Sequence, residues 1–434
     1  MTIEISRRSF LKGSLGAVGC AMLARGISPD FVYAQTAALS GPPLFIVQVF
    51  FSGGMDTIRA FPPAGALAQT YVDISRGLRT ANAGGIAEDP ATHIPFSSIA
   101  SLHPSFSALQ PIINANHLAL LHRSSVGLSN PTFGHEAEQL TTFNLGRLSS
   151  AELNSRQGWA NALLEEASSI CNVWGIGVGN QASMQGPYVG EIPVSVNALN
   201  QYSFANRSAT LGGTDDSNLA RALGGNLLMA AAPQSDAQLK AQRSVQAARS
   251  AVSDVQRINA TNVGTFPGGF GGTMANVAKI FADAAARNVQ EHQIVLVQRG
   301  GFDTHNNENG TLPGMLSDVS AGIAALYNFM AARNLLSRFI LITGSDFART
   351  TYANTSAGTD HAWGTTNMVV SGALKIKEFG DAHTDAELRH NRNYIQPTTD
   401  TRNAYWDIFA KMGLDPAKIL RYQNFTRRPI GLFS

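Results

Sequence analysis

Cysteine and charge are both scarce in this sequence. Its 434 residues include two cysteines, Cys20 and Cys171, and only 14% of the residues are charged. Hydrophobic residues make up 44%, so the composition excludes a highly charged disordered chain. The length predicts a folded globular protein with a core large enough for one big domain or two ordinary ones.

An excess of basic charge is also lacking. The chain has 32 Lys and Arg against 30 Asp and Glu. Four of those basic and two of those acidic residues lie before residue 35, so the rest of the chain is formally uncharged. No run of Lys or Arg follows Ala34. We therefore expect no nucleic acid and no anionic membrane surface as a partner.

Apolar runs are too short for a membrane-spanning helix, which needs about 20 residues. The apolar stretch 13–23 follows Ser-Arg-Arg-Ser-Phe-Leu-Lys at residues 6–12, and small residues precede position 35. This arrangement resembles a twin-arginine export signal. We predict a signal peptide over residues 1–34, a linker over 35–43, the twin-arginine translocase as a partner during export, and a periplasmic or otherwise exported protein without a transmembrane anchor. Lipid attachment at Cys20 stays open, and without Cys20 the single Cys171 excludes an internal disulfide.

Four short apolar runs predict buried strands at residues 44–51, 117–122, 294–297 and 339–343. Between the last two, Leu316, Val319 and Ile323 step by three and four residues, which predicts one helical face. Strand, helix and strand in this order indicate an α/β protein with a mostly parallel sheet and helices on both faces.

The middle of the chain has a different pattern. Residues 203–272 contain no convincing strand, a polar helix candidate at 236–259, and a glycine-rich loop at 264–272. The loop lacks the preceding strand and the Lys of a phosphate-binding loop, so a hinge is the favoured interpretation. We predict one domain over 44–434 with an insertion at about 203–272.

Carboxylates and imidazoles follow the predicted strands. Asp56 comes after the first strand, Asp303 and His305 after the third, and Asp346 after the fourth, and His361 lies in the next loop. Ligands of open α/β sheets bind beyond the carboxyl ends of the strands. Oxygen and nitrogen donors gathered there predict a site for a divalent metal ion, with zinc, manganese, calcium and magnesium all open.

Several motifs together resemble the bacterial DUF1501 family. They are residues 51–56, 103–104, 130–139, 158–159, 301–305, 345–350 and 358–361. That family is similar to the alkaline phosphatase and sulfatase superfamily, so the resemblance implies a three-layer α/β/α sandwich around a metal site. The metal ligands that this resemblance implies are Asp56, Asp303, His305, Asp346 and His361. Phe347 stands where superfamily hydrolases usually have a histidine, which favours one metal ion over two.

The resemblance also suggests catalytic residues. Many members have a serine before His135, but this chain has Gly134, and Thr132 is the best remaining hydroxyl for a nucleophile. A helix cap is an equal alternative for Thr132. His135 would add a ligand or a general base. Arg349 would clamp an anionic oxygen, or would pair with Asp346 or Asp360 and hold the loop.

These features predict an exported, metal-dependent hydrolase acting on a small anionic ester or glycan that carries a phosphate or sulfate ester. Two alternatives remain open at this level. One is a non-catalytic envelope protein of the same fold that binds a glycan or a protein partner. The other is a twin-arginine co-exported assembly partner that docks through residues 236–259.

Overall fold

The computed structural model describes residues 39, 41–81, 89–128, 132–146, 158–167, 170–176, 194–196, 199, 254–389, 394–420, 425 and 427–433. The predicted signal peptide, most of the linker and residues 203–253 of the predicted insertion lie outside these ranges. The same holds for most of the polar helix candidate at 236–259.

One large sheet dominates the described part of the chain. Its strands run in the order β10, β4, β9, β8, β1, β7, β5, β6, and β11 pairs with β4. All of its strand pairs are parallel except those of β9 with β4 and with β8. β2 and β3 form a separate antiparallel pair. The strands are β1 (Phe45–Phe51), β2 (Ile94–Pro95), β3 (Ser101–Leu102), β4 (Leu118–Ser125), β5 (Cys171–Ile176), β6 (Val194–Val196), β7 (His292–Arg299), β8 (Phe339–Ser345), β9 (Thr365–Val370), β10 (Glu378–Phe379) and β11 (Thr399–Asp400).

Helices cover both faces of this sheet. They are α1 (Thr57–Ala60), α2 (Ala68–Ala81), α3 (Gln110–Asn114), α4 (His135–Asn144), α5 (Trp159–Ala167), α6 (Phe270–Ala286), α7 (Glu308–Ala331), α8 (Asp385–Arg389), α9 (Arg402–Lys411) and α10 (Pro416–Ile419). None of the helices in the described ranges is long and apolar enough to cross a membrane.

The two faces of β1 show how the layers form. Phe45, Val47, Val49 and Phe51 point into the core that contains α6 and α7, and the Phe45 ring lies 5.1 Å from that of Phe281. Ile46 joins the opposite core with α5 and α9. Because successive strand residues face opposite sides and every residue of β1 is buried, apolar side chains occupy nearly the whole strand. The predicted three-layer α/β/α sandwich is confirmed.

The four predicted strands and the predicted helix are confirmed as β1, β4, β7, β8 and α7. β1 lies between β7 and β8 and is parallel to both, so the three strands end at the same edge of the sheet. β9 runs the other way, and the loop that precedes it therefore reaches this edge too. Loops carrying Asp303, His305, Asp346 and His361 meet there.

Candidate metal centre

Three imidazoles converge on one carboxylate at this edge. The Nε2 atoms of His135, His305 and His361 lie 3.4, 3.1 and 3.4 Å from Oδ1 of Asp303. The Nε2 atoms of His305 and His361 are 2.9 Å apart. His135, Asp303 and His361 each offer one ligand atom, and these atoms all lie within 4.8 Å of one another.

Each imidazole is held through its other nitrogen. Nδ1 of His135 lies 2.6 Å from Oδ2 of Asp346, and Nδ1 of His305 lies 3.2 Å from Oδ1 of Asp360. Nδ1 of His361 donates to the carbonyl oxygen of Phe133 at 2.7 Å, because a carbonyl oxygen can only accept. Proteins orient metal-binding histidines in this way, with a carboxylate or carbonyl behind Nδ1.

The resulting proton positions favour a cation between the rings. With the proton on Nδ1, the neutral imidazoles of His305 and His361 direct two Nε2 lone pairs toward each other across 2.9 Å. The carboxylates of Asp303, Asp346 and Asp360 outnumber the one guanidinium among them, that of Arg349. Nitrogen and oxygen donors with net negative charge fit one divalent metal ion, and imidazole suits zinc and other transition metals.

The shifted pKa values of Asp303 and His361 favour the protonation states of these groups that bind a metal. Burial alone raises the pKa of Asp303, but the hydrogen bond and charge of Arg349 and the charges of His305 and His135 hold it below its usual value. Burial lowers the pKa of His361, which keeps this imidazole neutral. Burial raises the pKa of Asp346, and hydrogen bonds from His135 and Gln139 partly offset this.

Local backbone geometry delivers His135 and the partner of His361. Phe133 adopts a positive φ of 62°, and Gly134 is the N-cap of α4, so His135 is the first residue of this helix. A left-handed conformation at a bulky residue is strained and often marks a functional site. Here it presents the Phe133 carbonyl to His361.

The five residues predicted as metal ligands do not all lie at one point in the structure. It brings together Asp303, His305 and His361, and it adds His135. Asp346 lies behind His135 and accepts from its Nδ1. Asp56 is the N-cap of α1, and its Oδ1 accepts from the backbone N–H of Ile58 at 3.1 Å and of Arg59 at 3.0 Å.

Arg349 lies beneath the cluster with its side chain fully buried. Its Nη2 donates to Oδ1 of Asp303 at 2.5 Å, so Asp303 is its acidic partner rather than Asp346 or Asp360. The guanidinium also donates to the backbone carbonyls of Gly53, Gly54, Phe302 and Thr359. Its Nη1 lies 3.4 Å from Nε2 of His305. The guanidinium thus ties together the loops after β1 and β7 and the loop before β9.

Thr132 lies just before α4. Its Oγ1 donates to Oε1 of Glu138 at 2.9 Å, and its backbone N–H donates to the same oxygen at 2.7 Å. Glu138 is buried. The Thr132 hydroxyl therefore has a carboxylate in position to accept its proton, although Gly134 rather than Thr132 is the helix N-cap.

Aromatic side chains border the cluster on one side. The Phe347 ring lies 4.3 Å from that of His361 and 4.9 Å from that of His135. Trp363 stacks on Phe133 and packs against Tyr394, with ring centroids 6.1 and 4.8 Å apart. The Phe347 ring therefore packs against one side of His135 and His361.

Some contacts of the centre were not predicted from the sequence. The Phe133 carbonyl as the acceptor for His361 has no signal in the sequence, because any residue carries a carbonyl. The pairing of Asp360 with His305 was also missed, although Asp360 adjoins His361 and shares its loop. Glu138 follows Thr132 by six residues. The two side chains meet because the helix that begins at His135 turns Glu138 back toward Thr132.

Comparisons with known proteins give a family and distant structural neighbours. Residues 146–432 match the family described as "Protein of unknown function (DUF1501)". No curated protein matches the chain. The similar solved structures include a protein in the alkaline phosphatase superfamily from Vibrio parahaemolyticus, which is 11% identical, with 95% of this chain and 79% of that one covered and a TM-score of 0.35.

Two further structures have lower TM-scores. A sulfatase from Pseudoalteromonas sp. is 8% identical, with 77% of this chain and 63% of that one covered and a TM-score of 0.32. The integral membrane lipooligosaccharide phosphoethanolamine transferase A from Neisseria meningitidis is 9% identical, with 77% of this chain covered and a TM-score of 0.30. The chain spans 49% of the length of that transferase.

Proposed function

The chain belongs to the DUF1501 family, and from the geometry of its metal centre we propose that it is an exported, metal-dependent hydrolase of phosphate or sulfate esters. One observation carries the proposal. Three imidazoles direct Nε2 at the Asp303 carboxylate, and an acceptor holds each Nδ1.

Each residue of the centre has a role in this proposal. His135, His305, His361 and Asp303 would hold a divalent ion, which when bound supplies Lewis-acid polarisation of the ester oxygen. The partners of the three Nδ1 atoms keep the rings in their ligand orientation. Arg349 keeps Asp303 ionised and fixed, and in this proposal it acts on the ligand rather than on the substrate.

Thr132 is the proposed nucleophile, with Glu138 as its base. The hydroxyl oxygen attacks phosphorus or sulfur, its proton passes to Glu138 across 2.9 Å, and the bond to the alcohol oxygen breaks. The alcohol oxygen takes up a proton from solvent water as it leaves. Water then hydrolyses the ester formed on Thr132, which restores its hydroxyl and releases phosphate or sulfate. Thr132→Val should abolish turnover while Thr132→Ser retains part of it, and full activity in the valine variant would exclude this role.

Metal analysis of the mature protein as isolated tests the centre. We expect about one equivalent of a divalent transition metal, lost in Asp303→Ala and His361→Ala together with phosphatase or sulfatase activity. His117→Ala is the matched control, because His117 contacts Tyr327 and no residue of the centre. A metal-free protein, or Asp303→Ala with unchanged metal and turnover, would refute the proposal.

A non-catalytic binding protein of the same fold is the second candidate. Phe347 favours it, because this buried ring packs against both His135 and His361 at the position where superfamily hydrolases usually have a histidine. In that case added metal should raise the melting temperature while every ester tested remains intact.

Export is the part of the proposal that depends on the first residues. The paired Arg7 and Arg8 before an apolar stretch support the twin-arginine route. Replacing both with lysine should leave the uncleaved precursor in the cytoplasm, whereas a Lys12→Arg precursor should be exported and cleaved. Export of the double variant at the normal rate would argue for another route.

A further inference from the structure

A cleft of about 510 Å³ opens beside Asp303. The end of β7 and the loop after it contribute Arg299, Gly301 and Thr304, and α7 contributes Met315 and Asp318. The volume lies within the range of about 300–1,000 Å³ that is usual for small-molecule sites. Because Asp303 belongs both to the cleft and to the metal centre, a molecule bound in the cleft would reach the centre.

Apart from Asp303, the charged groups among the described lining residues are one neutral ion pair. Arg299 and Asp318 are ion-paired, with Nη2 and Oδ2 3.1 Å apart. Oδ1 of Asp318 accepts from the backbone N–H of Phe270 at 2.9 Å, which fixes the carboxylate. Since the charge of Arg299 is already balanced, this wall does not select a second anionic group.

Two buried polar atoms of residues that line the cleft form no hydrogen bond within the described part of the chain. Among the described residues, Oγ1 of Thr304 and Nε of Arg299 are buried without a hydrogen-bond partner. Thr304 is only 4% exposed. A buried polar group without a hydrogen bond is unfavourable, so a ligand hydroxyl that bonds to Thr304 offsets that cost.

The remaining lining excludes some ligand classes. Met315 and the glycines Gly269, Gly301 and Gly314 give the cleft a smooth apolar part, and no aromatic ring is among its described lining residues. An aromatic alcohol would have no ring to stack on. Adjacent donor and acceptor groups with an apolar floor instead match vicinal hydroxyls and the C–H face of a sugar.

We propose that this cleft binds the sugar part of a carbohydrate phosphate or sulfate ester. Arg299 donates to its hydroxyls, Thr304 donates to or accepts from them, Asp318 accepts from them, and the ester group lies at Asp303. The identity of the ester rests on the proposed function of the metal centre, whereas sugar binding by the cleft does not require turnover.

Ligand-observed NMR on the whole mature protein tests the proposal with a panel of hexoses and N-acetylhexosamines and their phosphate and sulfate esters. We expect saturable binding that weakens about fivefold or more in Thr304→Val, the loss of one hydrogen bond of about 1 kcal/mol. Arg299→Met should weaken it further. Thr304→Val removes no hydrogen bond within the described protein, so the fold should tolerate it.

Thr399→Val is the matched control. Thr399 is 1% exposed, its Oγ1 also has no partner among the described residues, and it lies in β11, which pairs with β4 far from the cleft in the strand order. Sugar affinity should be the same in this variant as in the unmodified protein. An equal loss in both valine variants would overturn the proposal.

The test separates this proposal from that of the metal centre when turnover of a simple aryl sulfate or phosphate is measured in parallel. Hydrolysis of the aryl ester without binding of any sugar in the panel overturns the sugar cleft and leaves the hydrolase standing. Sugar binding that depends on Thr304, with no ester hydrolysed, supports the cleft and overturns the hydrolase.

Discussion

A histidine binds a metal through Nε2 only when its proton sits on Nδ1, and in this protein residues outside the proposed ligand set favour that state. Asp346 does so for His135, Asp360 for His305, and the Phe133 carbonyl for His361. Asp346 was itself predicted as a ligand. Its place behind His135 changes the expected effect of replacing it.

Replacement of Asp346 should weaken the metal site without abolishing it. We expect Asp346→Asn to lower the metal affinity roughly 10- to 100-fold, since a neutral amide orients His135 and raises its basicity less well than a carboxylate. Competition with a chromophoric chelator measures the change. Asp89→Asn is the control, because the exposed Asp89 caps a short helical turn. Equal affinity in both variants would show that Asp346 does not support the centre.

Glu308 is a second residue with a defined protonation state. It is fully buried at the start of α7, and its Oε2 accepts from Oγ1 of Thr359 at 2.8 Å. Burial, and then the charge of Asp56, raise the pKa of this carboxyl well above its usual value. The folded protein therefore holds a proton that the unfolded chain releases above its pKa of about 4.3, and stability falls as the pH rises beyond that value.

Glu308→Gln should remove this penalty. The glutamine side chain copies a protonated glutamate, since its carbonyl oxygen can accept from Thr359 and it carries no charge. We expect the variant to be the more stable protein at neutral pH, because its folded state no longer has to hold a proton that the unfolded chain has released. Urea unfolding in the presence of a chelator, from about pH 5 to about pH 8, measures the difference. A variant that is less stable than the unmodified protein at the upper pH, while Glu166→Gln is unchanged, would contradict the assignment.

The directions of the strands determine which strand-end residues lie at the same edge of the sheet. Long apolar runs made β1, β4, β7 and β8 predictable, because strands buried on both faces have few polar positions. The antiparallel β9 was not predicted, since its sequence Thr-Thr-Asn-Met-Val-Val is short and half polar. Its direction is nevertheless what brings His361 to the same edge as Asp303.

The candidate centre was predictable only in part, for a related reason. Asp303 and His305 follow a strand directly, and their place at the sheet edge depends on that strand alone. An aspartate after a strand is equally suited to cap a helix, which is the observed contact of Asp56. His135 is separated from its partner Asp346 by 211 residues and lies at the start of α4. No local pattern in the sequence reports such a distance.

Arg349 is the connection between these elements. Arg349→Lys should lower the free energy of unfolding by about 3 kcal/mol, because a lysine ammonium cannot reach all four carbonyls and Asp303, and buried partners are left unpaired. Thermal unfolding of the metal-free protein measures the loss. Arg333→Lys is the matched control just beyond the end of α7, where the exposed guanidinium donates to the carbonyl oxygen of Phe329. A loss no larger than that of the control would show that Arg349 does not hold the loops together.

At the scale of the whole molecule, a buried histidine links folding to pH. His292 is 2% exposed, its Nδ1 accepts from the backbone N–H of Leu44, and its Nε2 donates to the carbonyl of Met412, each at 3.0 Å. It thus connects the start of β1 to the segment after α9. Burial lowers the pKa of His292 to about 4.

This pKa predicts a loss of stability in acid. The unfolded chain takes up a proton near pH 6.5, whereas the folded protein does so only near pH 4. Between these values the unfolded state binds more protons, so the contribution of His292 is complete above about pH 6.5 and is lost as the pH falls toward 4. The difference corresponds to about 3 kcal/mol at most.

Urea unfolding of the mature protein across that pH range tests this linkage. His292→Gln should be less stable at neutral pH, because one of the two backbone hydrogen bonds is lost, but its stability should fall less steeply from pH 6.5 to 4. Some slope will remain, since burial lowers the pKa of His383 as well. Parallel curves for the two proteins would show that His292 is not the group that couples protonation to unfolding.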